Sequence, residues 1–140
     1  MLPFCGYNMA DYWGHWLEMA EKSGAKMPKI YYVNWFRKGS DGRFLWPGYG
    51  ENSRVIKWIF ERLAGEAAAK ETAIGYLPEE IDLSGLAINE KQLAELFKVD
   101  AAEWISEIED IKKHYARFGA KLPLALTEEL QSLEQKLQAL

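Results

Sequence analysis

The sequence predicts a mixed, helix-rich α/β fold with a short β-hairpin and about five helices. Three observations support this prediction. The 140 residues are 49% hydrophobic and 14% aromatic, which is enough for one domain with an apolar core. A run of β-branched and aromatic residues precedes a turn rich in glycine. Several other segments carry apolar residues at helical spacing behind residue types that cap helices.

The composition also excludes some classes of protein. A formal net charge of -4 argues against a domain that binds nucleic acid through its phosphates, because such domains are usually strongly basic. The single cysteine, Cys5, excludes an internal disulfide and a zinc site built from several cysteines, and we expect it to be a small buried apolar residue. Because no run of about 18 uncharged apolar residues occurs, we expect a soluble, cytoplasmic protein with no membrane partner.

The first predicted element is a helix from about Met9 to Lys22. Asn8 precedes it and can cap its amino terminus, and Gly24 can close it. The helix should pack an aromatic face inward, since three large side chains recur at helical spacing: Tyr12, Trp16 and Met19.

A predicted strand and hairpin follow. Residues Lys29 to Phe36 are mainly β-branched and aromatic and begin just after Pro28, so they read as a strand. The segment Arg37 to Gly42 contains two glycines and an Asp-Gly step, which indicates a tight turn into a second extended piece, Arg43 to Trp46. A β-hairpin is therefore predicted here.

The loop after this hairpin leads into a second helix. Residues Pro47 to Glu51 include two glycines and a proline, so we expect neither regular structure there. Asn52 or Ser53 can then cap a helix from about Arg54 to Leu63. Arg54 would stand near the positive end of that helix, which suggests a phosphate or carboxylate partner for its side chain.

The remaining chain reads as a helical tail. An alanine-rich connection and the segment Ile74 to Pro78 come first. Three amphipathic helices then follow, with Gly119 as a stop between the last two: Asn89 to Phe97, Asp100 as cap to Phe118, and Thr127 as cap to Gln138.

The stretch from residue 34 to residue 54 carries most of the chemical information. It contains five aromatic residues and four glycines. Aromatic residues in a strand usually belong to a core, and that interpretation stays open. Tyr49, however, lies between two glycines in a loop, where a ring has no periodic reason to be buried. Flexible backbone beside aromatic rings suits a flat ligand.

A purine site needs planes that stack on the base and polar groups that recognise its edge. Stacking contributes on the order of 1–3 kcal/mol per base. A polar group of the base left unpaired inside the site costs roughly 1–3 kcal/mol, so edge contacts enforce a choice between purines. The amide of Asn52 offers a donor and an acceptor, and together with loop backbone groups it could match guanine. This pattern alone does not name a nucleotide.

Seven short segments of the chain form a recognisable set. They are Met1-Leu2-Pro3-Phe4, Gly6-Tyr7-Asn8, His15-Trp16-Leu17, Pro28-Lys29-Ile30, Val33-Asn34-Trp35-Phe36-Arg37, Phe44-Leu45-Trp46-Pro47-Gly48 and Gly50-Glu51-Asn52-Ser53-Arg54-Val55. Together they resemble the C-terminal part of the GTP-dependent phosphoenolpyruvate carboxykinases. The likeness is dense from Met1 to Pro78, whereas the helical tail agrees mainly in length and in scattered apolar positions.

The resemblance implies a set of GTP-binding residues: Phe36, Phe44, Tyr49, Gly50, Glu51 and Asn52. In this comparison Phe36 and Tyr49 are the stacking planes, Phe44 is an edge contact and Asn52 reads the base edge. The loop backbone would contribute further contacts. The family more often has phenylalanine where this chain has Tyr49, and a tyrosine keeps the aromatic plane.

The resemblance also implies an activity for the intact enzyme. It converts oxaloacetate and GTP to phosphoenolpyruvate, GDP and carbon dioxide in gluconeogenesis, with manganese and magnesium. We find no Gly-x-x-x-x-Gly-Lys-Ser/Thr phosphate loop and no candidate Lys/His/Asp manganese cluster, so we assign no catalytic residue and no metal ligand to this chain. The chain is then expected to be an inactive C-terminal fragment that lacks the upstream part of the enzyme.

The resemblance further suggests how this fragment is organised and what it associates with. Residues 1–65 would form the guanine-pocket part of the nucleotide-binding domain, and residues 66–140 would form the helical tail. The intact enzyme is expected to be a monomer. The fragment could self-associate, because an unpaired strand at Ile30 to Trp35 invites pairing with another copy.

Two other interpretations of the aromatic hairpin stay open, and a histidine metal site is not predicted. The aromatic hairpin could instead serve a non-enzymatic interaction module that docks a proline-rich or sugar ligand, or the segment could be purely structural. His15 and His114 lack a partner at metal-ligand spacing and read as ordinary histidines.

Overall fold

The computed structural model describes residues 2–22 and 26–140. Within them the helical elements outnumber the strands, which confirms the predicted helix-rich mixed fold with a short hairpin. The α-helices are α1 (Met9–Glu21), α2 (Asn52–Ala64), α3 (Glu90–Phe97), α4 (Ala101–Ala116) and α5 (Leu124–Gln138). The strands are β1 (Ala69–Thr72) and β2 (Gly75–Pro78), and short 3-10 turns cover Leu2–Phe4, Tyr49–Glu51 and Gly119–Lys121.

The chain divides into two compact units. One unit contains the chain up to Tyr31 together with Asp100–Leu140, and the other is Tyr32–Val99. The first therefore holds α1, α4 and α5, and the second holds α2, the β-hairpin and α3. This structural division differs from the functional division at residue 65, which stays a prediction. In the described ranges, no helix combines the length and the apolar character needed to cross a membrane.

Helix α1 begins as predicted, with Asn8 as its cap. The Asn8 side-chain oxygen accepts from the backbone N–H of Ala10 at 2.9 Å, which satisfies one of the free donors of the first turn. The Asn8 amide nitrogen also donates to the carbonyl oxygen of Phe118 at 3.2 Å. Asn8 therefore joins the start of α1 to the end of the α4 segment. The predicted closing residue, Gly24, lies outside the described residues.

The inward face of α1 differs from the prediction. Met9 and Ala10 in its first turn are buried with Phe118, and Trp13 packs edge to face on Phe118 with ring centroids 4.6 Å apart. Tyr12 is half-buried at the edge of this cluster. The prediction that Trp16 and Met19 also face inward is wrong, because both are exposed. The core contacts only the first half of α1. Helical periodicity identifies one face of a helix but does not show how much of its length is covered.

Helices α4 and α5 pack together within the same unit. Their buried residues are Ile108 on α4 and Leu137 on α5, each 1% exposed. Asp100 caps α4 as predicted, accepting from two backbone N–H groups of its first turn. The Lys112 ammonium on α4 contacts the Glu134 carboxylate on α5 at 3.0 Å, and this bond is the first cause of a raised pKa at Lys112.

Helix α5 begins earlier than predicted. Thr127 does not cap it, because the helix starts at Leu124 behind Pro123 and already includes position 127. A proline disfavours helical geometry in the residue before it, so the chain enters the helix directly after Pro123. The predicted stop at Gly119 is confirmed in part, since Gly119 has a φ of 59° and opens the 3-10 turn between α4 and α5.

Cys5 was predicted to be buried. It is half-buried and has a free thiol, next to the cluster around Met9. Its position at the edge of a small core explains the difference, since a unit of this size leaves few sites fully enclosed.

The second unit contains the regular hairpin, at a position where the sequence suggested only a connection. Strands β1 and β2 pair antiparallel, from Ala69 opposite Pro78 to Thr72 opposite Gly75. Gly65 ends α2 in the left-handed region, with a φ of 81° that favours glycine. Helix α3 begins at a capping box formed by Asn89 and Gln92, close to its predicted start.

The predicted strand from Lys29 to Phe36 is wrong. Its backbone forms no strand, although the side chains from position 31 to position 40 alternate between half-buried and exposed. Ile30 and Tyr32 are 88% and 93% exposed. The residue types favour an extended chain, but a strand also requires a neighbour for its backbone hydrogen bonds. Within the described ranges no neighbouring strand takes that place.

Candidate functional site

The predicted site residues all lie in the unit Tyr32–Val99. The predicted hairpin around Arg37–Trp46 is reduced to a tight turn with one antiparallel bridge, between Lys38 and Phe44. The Gly39 N–H donates to the Arg43 carbonyl at 2.9 Å, which holds the two arms of the turn together. This turn positions two of the predicted aromatic residues on its two arms.

Phe36 and Phe44 are brought together by the turn. Their ring centroids are 5.9 Å apart with an interplanar angle of 64°, an edge-to-face arrangement. Both rings remain exposed, Phe36 by 71% and Phe44 by 56%. The Lys38 ammonium lies 5.4 Å from the centre of the Phe44 ring, within the range of a cation–π contact. The pair therefore presents an apolar surface with a positive charge beside it.

Tyr49 is not a member of this ring pair. It begins the 3-10 turn Tyr49–Glu51, which replaces the irregular loop that the sequence predicted. Its ring is 92% exposed and makes no ring contact within the part of the chain that the structure describes. Gly48, just before it, has a φ of 125°, which only glycine adopts readily. The structure thus places Tyr49 on an exposed turn whose entry requires a glycine.

Asn52 does not cap α2, and neither does Ser53. The 3-10 turn runs directly into the helix, so Asn52 is already the first helical residue and its backbone N–H donates to the Tyr49 carbonyl. The Asn52 side chain therefore makes no capping hydrogen bond. The side-chain oxygen of Asn52 instead accepts a hydrogen bond of 2.9 Å from the indole N–H of Trp46. Trp46 itself is buried.

Glu51 and Arg54 fasten the turn at the start of α2. The Arg54 Nε lies 2.6 Å from a carboxylate oxygen of Glu51, so the carboxylate partner suggested by the sequence is present within the chain. The other guanidinium nitrogens donate to the carbonyl oxygens of Asp82 at 3.0 Å and of Ser84 at 2.9 Å. Arg54 therefore joins the turn Tyr49–Glu51 to the segment that precedes α3.

The segment bound by Arg54 has its own local order. The Ser84 hydroxyl and backbone N–H both donate to the Asp82 carboxylate, and the hydroxyl bond is the first cause of a lowered pKa at Asp82. Elsewhere in the unit, the Arg37 guanidinium donates to the carbonyl oxygen of Leu96, the penultimate residue of α3, at 3.2 Å. Arg37 and Arg54 therefore each tie the segment around the aromatic turn to the region of α3.

Sequence reasoning missed the roles of Trp46 and Lys38. Trp46 was counted among the aromatic residues but received no role, because it lies six positions before Asn52 and no helical or strand periodicity relates the two residues. The contact between Lys38 and Phe44 was also not foreseen, although the two residues flank a predicted turn. Residues at matched positions of a tight hairpin face each other, so that contact could have been inferred from the turn.

Metal binding finds no support in the described ranges. Among residues 2–22 and 26–140, no group of three or more His, Cys, Asp or Glu side chains is placed to hold a metal ion. His114 instead packs edge to face against Phe118 at 5.1 Å, and His15 is exposed on α1.

Comparison with known proteins identifies the family. The model of the phosphoenolpyruvate carboxykinase C-terminal P-loop domain matches residues 1–136. The chain is 57% identical over 143 residues to phosphoenolpyruvate carboxykinase [GTP] from Neocallimastix frontalis, covering 99% of this chain and 23% of that protein. It is 50% identical over 141 residues to the enzyme of that name from Chlamydia caviae, covering 99% of this chain and 24% of that protein.

A third relative is the cytosolic phosphoenolpyruvate carboxykinase [GTP] of Gallus gallus. The chain is 48% identical to it over 141 residues, covering 100% of this chain and 23% of that protein. The chain thus spans about a quarter of the length of the curated relatives it matches. With the family model matching residues 1–136, the chain belongs to the GTP-dependent phosphoenolpyruvate carboxykinase family.

Proposed function

We propose that this chain binds the guanine base of GTP or GDP as part of a phosphoenolpyruvate carboxykinase. The reaction of the whole enzyme would be the conversion of oxaloacetate and GTP to phosphoenolpyruvate, GDP and carbon dioxide, in gluconeogenesis and in the cytoplasm. The observation that carries the proposal is the exposed edge-to-face pair of Phe36 and Phe44. It lies in the same compact unit as Tyr49 and as Asn52, whose amide is already oriented.

The first part of the proposal is stacking. Exposed aromatic rings gain free energy when a flat base covers them, on the order of 1–3 kcal/mol per base. Phe36 and Tyr49 would supply the stacking planes, and Phe44 would contact the base from its edge. Because Tyr49 is 92% exposed, it can close over a ligand without leaving a packed core. The neighbouring Lys38 would add a positive charge near the nucleotide.

The second part is recognition of the base edge. Asn52 would contact the edge through its side-chain amide, while Gly50 and Glu51 would contribute backbone groups. The Glu51 carboxylate is engaged by Arg54 at 2.6 Å, so its part in binding falls to the backbone and not to the side chain. A negative side chain free to face the phosphates would oppose binding, and the ion pair with Arg54 removes that difficulty.

The third part concerns the rest of the enzyme. The phosphate loop, the metal ligands and the residues that bind oxaloacetate would belong to the portion of the relatives that this chain does not span, so this chain alone should not catalyse the reaction. Residues 1–65 would form the pocket part and residues 66–140 the helical tail. The expected partners are a guanine nucleotide and the remainder of the enzyme, with no nucleic acid or membrane, and the intact enzyme would be a monomer.

Self-association of the isolated chain is proposed on a separate observation. The segment Ile30 to Trp35 belongs to no strand and carries the exposed side chains Ile30 and Tyr32. Exposed apolar and aromatic side chains on one segment favour association with another copy. Light scattering at increasing protein concentration tests this association, and a molecular mass that stays at one chain would contradict it.

Nucleotide titrations test the main proposal. We expect GDP to shift the NMR signals of the 140-residue chain with near-millimolar affinity, since the phosphate and metal contacts of the full enzyme would be missing. The variant Phe44→Ala should weaken GDP binding roughly five- to fiftyfold. Phe60→Ala is the matched control, because Phe60 is also an exposed phenylalanine of the same unit, 67% exposed on α2.

Three outcomes separate the hypotheses. GDP binding that is much tighter than ADP binding and depends on Phe44 supports the proposal. An equal response to ADP and GDP would contradict guanine recognition. Binding of a proline-rich peptide or a glycan in the absence of any nucleotide response would instead favour the interaction-module hypothesis.

A further inference from the structure

Trp46 holds the amide of Asn52 in one orientation. Its indole N–H donates to the Asn52 side-chain oxygen at 2.9 Å, and the indole ring is only 5% exposed. An indole nitrogen is a donor and never an acceptor. The partner atom facing it must therefore be the amide oxygen of Asn52 and cannot be the amide nitrogen.

The orientation is costly to reverse. A half-turn of the Asn52 amide would place its NH2 group against the indole N–H, so two donors would face each other. The indole N–H would then be an unsatisfied donor on a buried residue, a situation that proteins avoid. The backbone of Asn52 is also held, because its N–H donates to the Tyr49 carbonyl in the 3-10 turn. The asparagine therefore offers the two donors of its NH2 group to a ligand.

We infer that Trp46 is a positioning residue that holds the Asn52 amide with its NH2 group toward the base, and that this hydrogen bond contributes to the preference for a carbonyl at position 6. This inference rests on the proposed function, since it concerns the same site. A carbonyl at position 6 accepts from the Asn52 NH2 group, whereas an amino group at that position presents a second donor and is rejected. Guanine and hypoxanthine carry the carbonyl, and adenine and 2,6-diaminopurine carry the amino group.

Four nucleotides test this assignment on the 140-residue chain by NMR titration: GDP, IDP, ADP and the 5′-diphosphate of 2,6-diaminopurine riboside. We expect the two carbonyl bases to bind roughly tenfold or more tightly than the two amino bases. The 2-amino group should matter less than the group at position 6. If the four dissociation constants depend instead on whether the base carries a 2-amino group, the assignment is overturned.

The variant Trp46→Phe removes the indole N–H and keeps an aromatic ring. The Asn52 amide can then turn freely, so the preference for carbonyl over amino bases should fall to about threefold or less, while stacking retains most of the GDP affinity. Trp16→Phe is the matched control, since Trp16 lies on α1 in the other unit and should leave the preference unchanged. A Trp46→Phe variant that keeps the full preference would overturn the inference.

A second variant leaves the buried Trp46 indole unchanged. Asn52→Asp still accepts from the Trp46 indole but offers only oxygen atoms to the base, so the preference should invert toward the amino bases. The Trp46 indole proton should remain protected from solvent exchange in this variant, which verifies that the bond is intact. A carbonyl preference that persists in Asn52→Asp would refute the inference. If the wild-type chain shows no difference between GDP and ADP, the proposed function itself fails.

Discussion

Replacing Arg54 by glutamine removes the contacts that fasten the turn Tyr49–Glu51 to the segment before α3. The guanidinium contacts a Glu51 carboxylate oxygen at 2.6 Å and the carbonyl oxygens of Asp82 and Ser84 at 3.0 and 2.9 Å. The Arg54 side chain is 22% exposed, so these contacts are partly shielded from water. Glutamine keeps much of the aliphatic stem but loses the charge and the planar fork of donors.

The expected loss of unfolding free energy follows from these contacts. Each carbonyl bond contributes about 0.5–1 kcal/mol, because both carbonyl groups are exposed and water can replace the donor. The partly buried ion pair with Glu51 adds about 1 kcal/mol. A cation in the first turn of α2 interacts unfavourably with the helix dipole, so its removal stabilises the folded state by about 0.5 kcal/mol. The net destabilisation should be about 2 kcal/mol.

The matched control lies one turn further along α2. Lys57→Gln also removes one positive charge, but Lys57 contacts Glu61 at 3.5 Å on an exposed face, and such pairs contribute about 0.3–0.5 kcal/mol. Urea titrations followed through NMR signals of Tyr32–Val99 report the unfolding of the unit that contains both residues. Equal losses for the two variants would refute the argument that the three-way contact of Arg54 fastens the turn.

Three further predictions concern other contacts. Ile108→Ala should cost about 2–4 kcal/mol in urea unfolding because Ile108 is 1% exposed, whereas Ile105→Ala, at a position 43% exposed, should cost about 1 kcal/mol or less; similar costs would contradict the assigned core. Asn8→Ala should cost about 1–2 kcal/mol, since it removes both the helix cap and the bond to the Phe118 carbonyl, and an unchanged midpoint would count against that double role. Ser84→Ala should raise the pKa of Asp82 toward its ordinary value, as measured by NMR titration. Because the folded pKa of Asp82 is lowered, its stabilising contribution is present above the unfolded pKa and is lost as the pH falls through the folded pKa, and a pKa that does not move would contradict the role of the Ser84 hydroxyl.

Several local elements were predictable from residue types because their causes lie within a few residues. Asn8, Asn89 and Asp100 cap helices through side-chain bonds to backbone groups two or three residues away. Gly119 lies between α4 and α5, where its positive φ opens a 3-10 turn. Thr127 is the contrasting case, since Pro123 upstream had already started the helix.

The candidate site was predictable in its residue types but not in its arrangement. The concentration of rings and glycines between residues 34 and 54 pointed to the correct stretch for a proposal. The edge-to-face geometry of Phe36 and Phe44 depends on how the intervening turn folds. Asn52 was expected either to cap α2 or to contact the base edge with both its donor and its acceptor. In the structure its side-chain oxygen accepts from the Trp46 indole N–H.

The sequence by itself determined the helix-rich class of the chain, most of its helix starts and its family. These features rest on short-range hydrogen bonds, on the periodicity of apolar residues and on motifs that need no knowledge of distant contacts. The tertiary structure alone decided that Lys29 to Phe36 forms no strand and that Arg54 reaches Asp82 and Ser84. A strand or a long-range contact requires a partner brought into place by the folded chain, and residue types in one segment cannot specify where that partner lies.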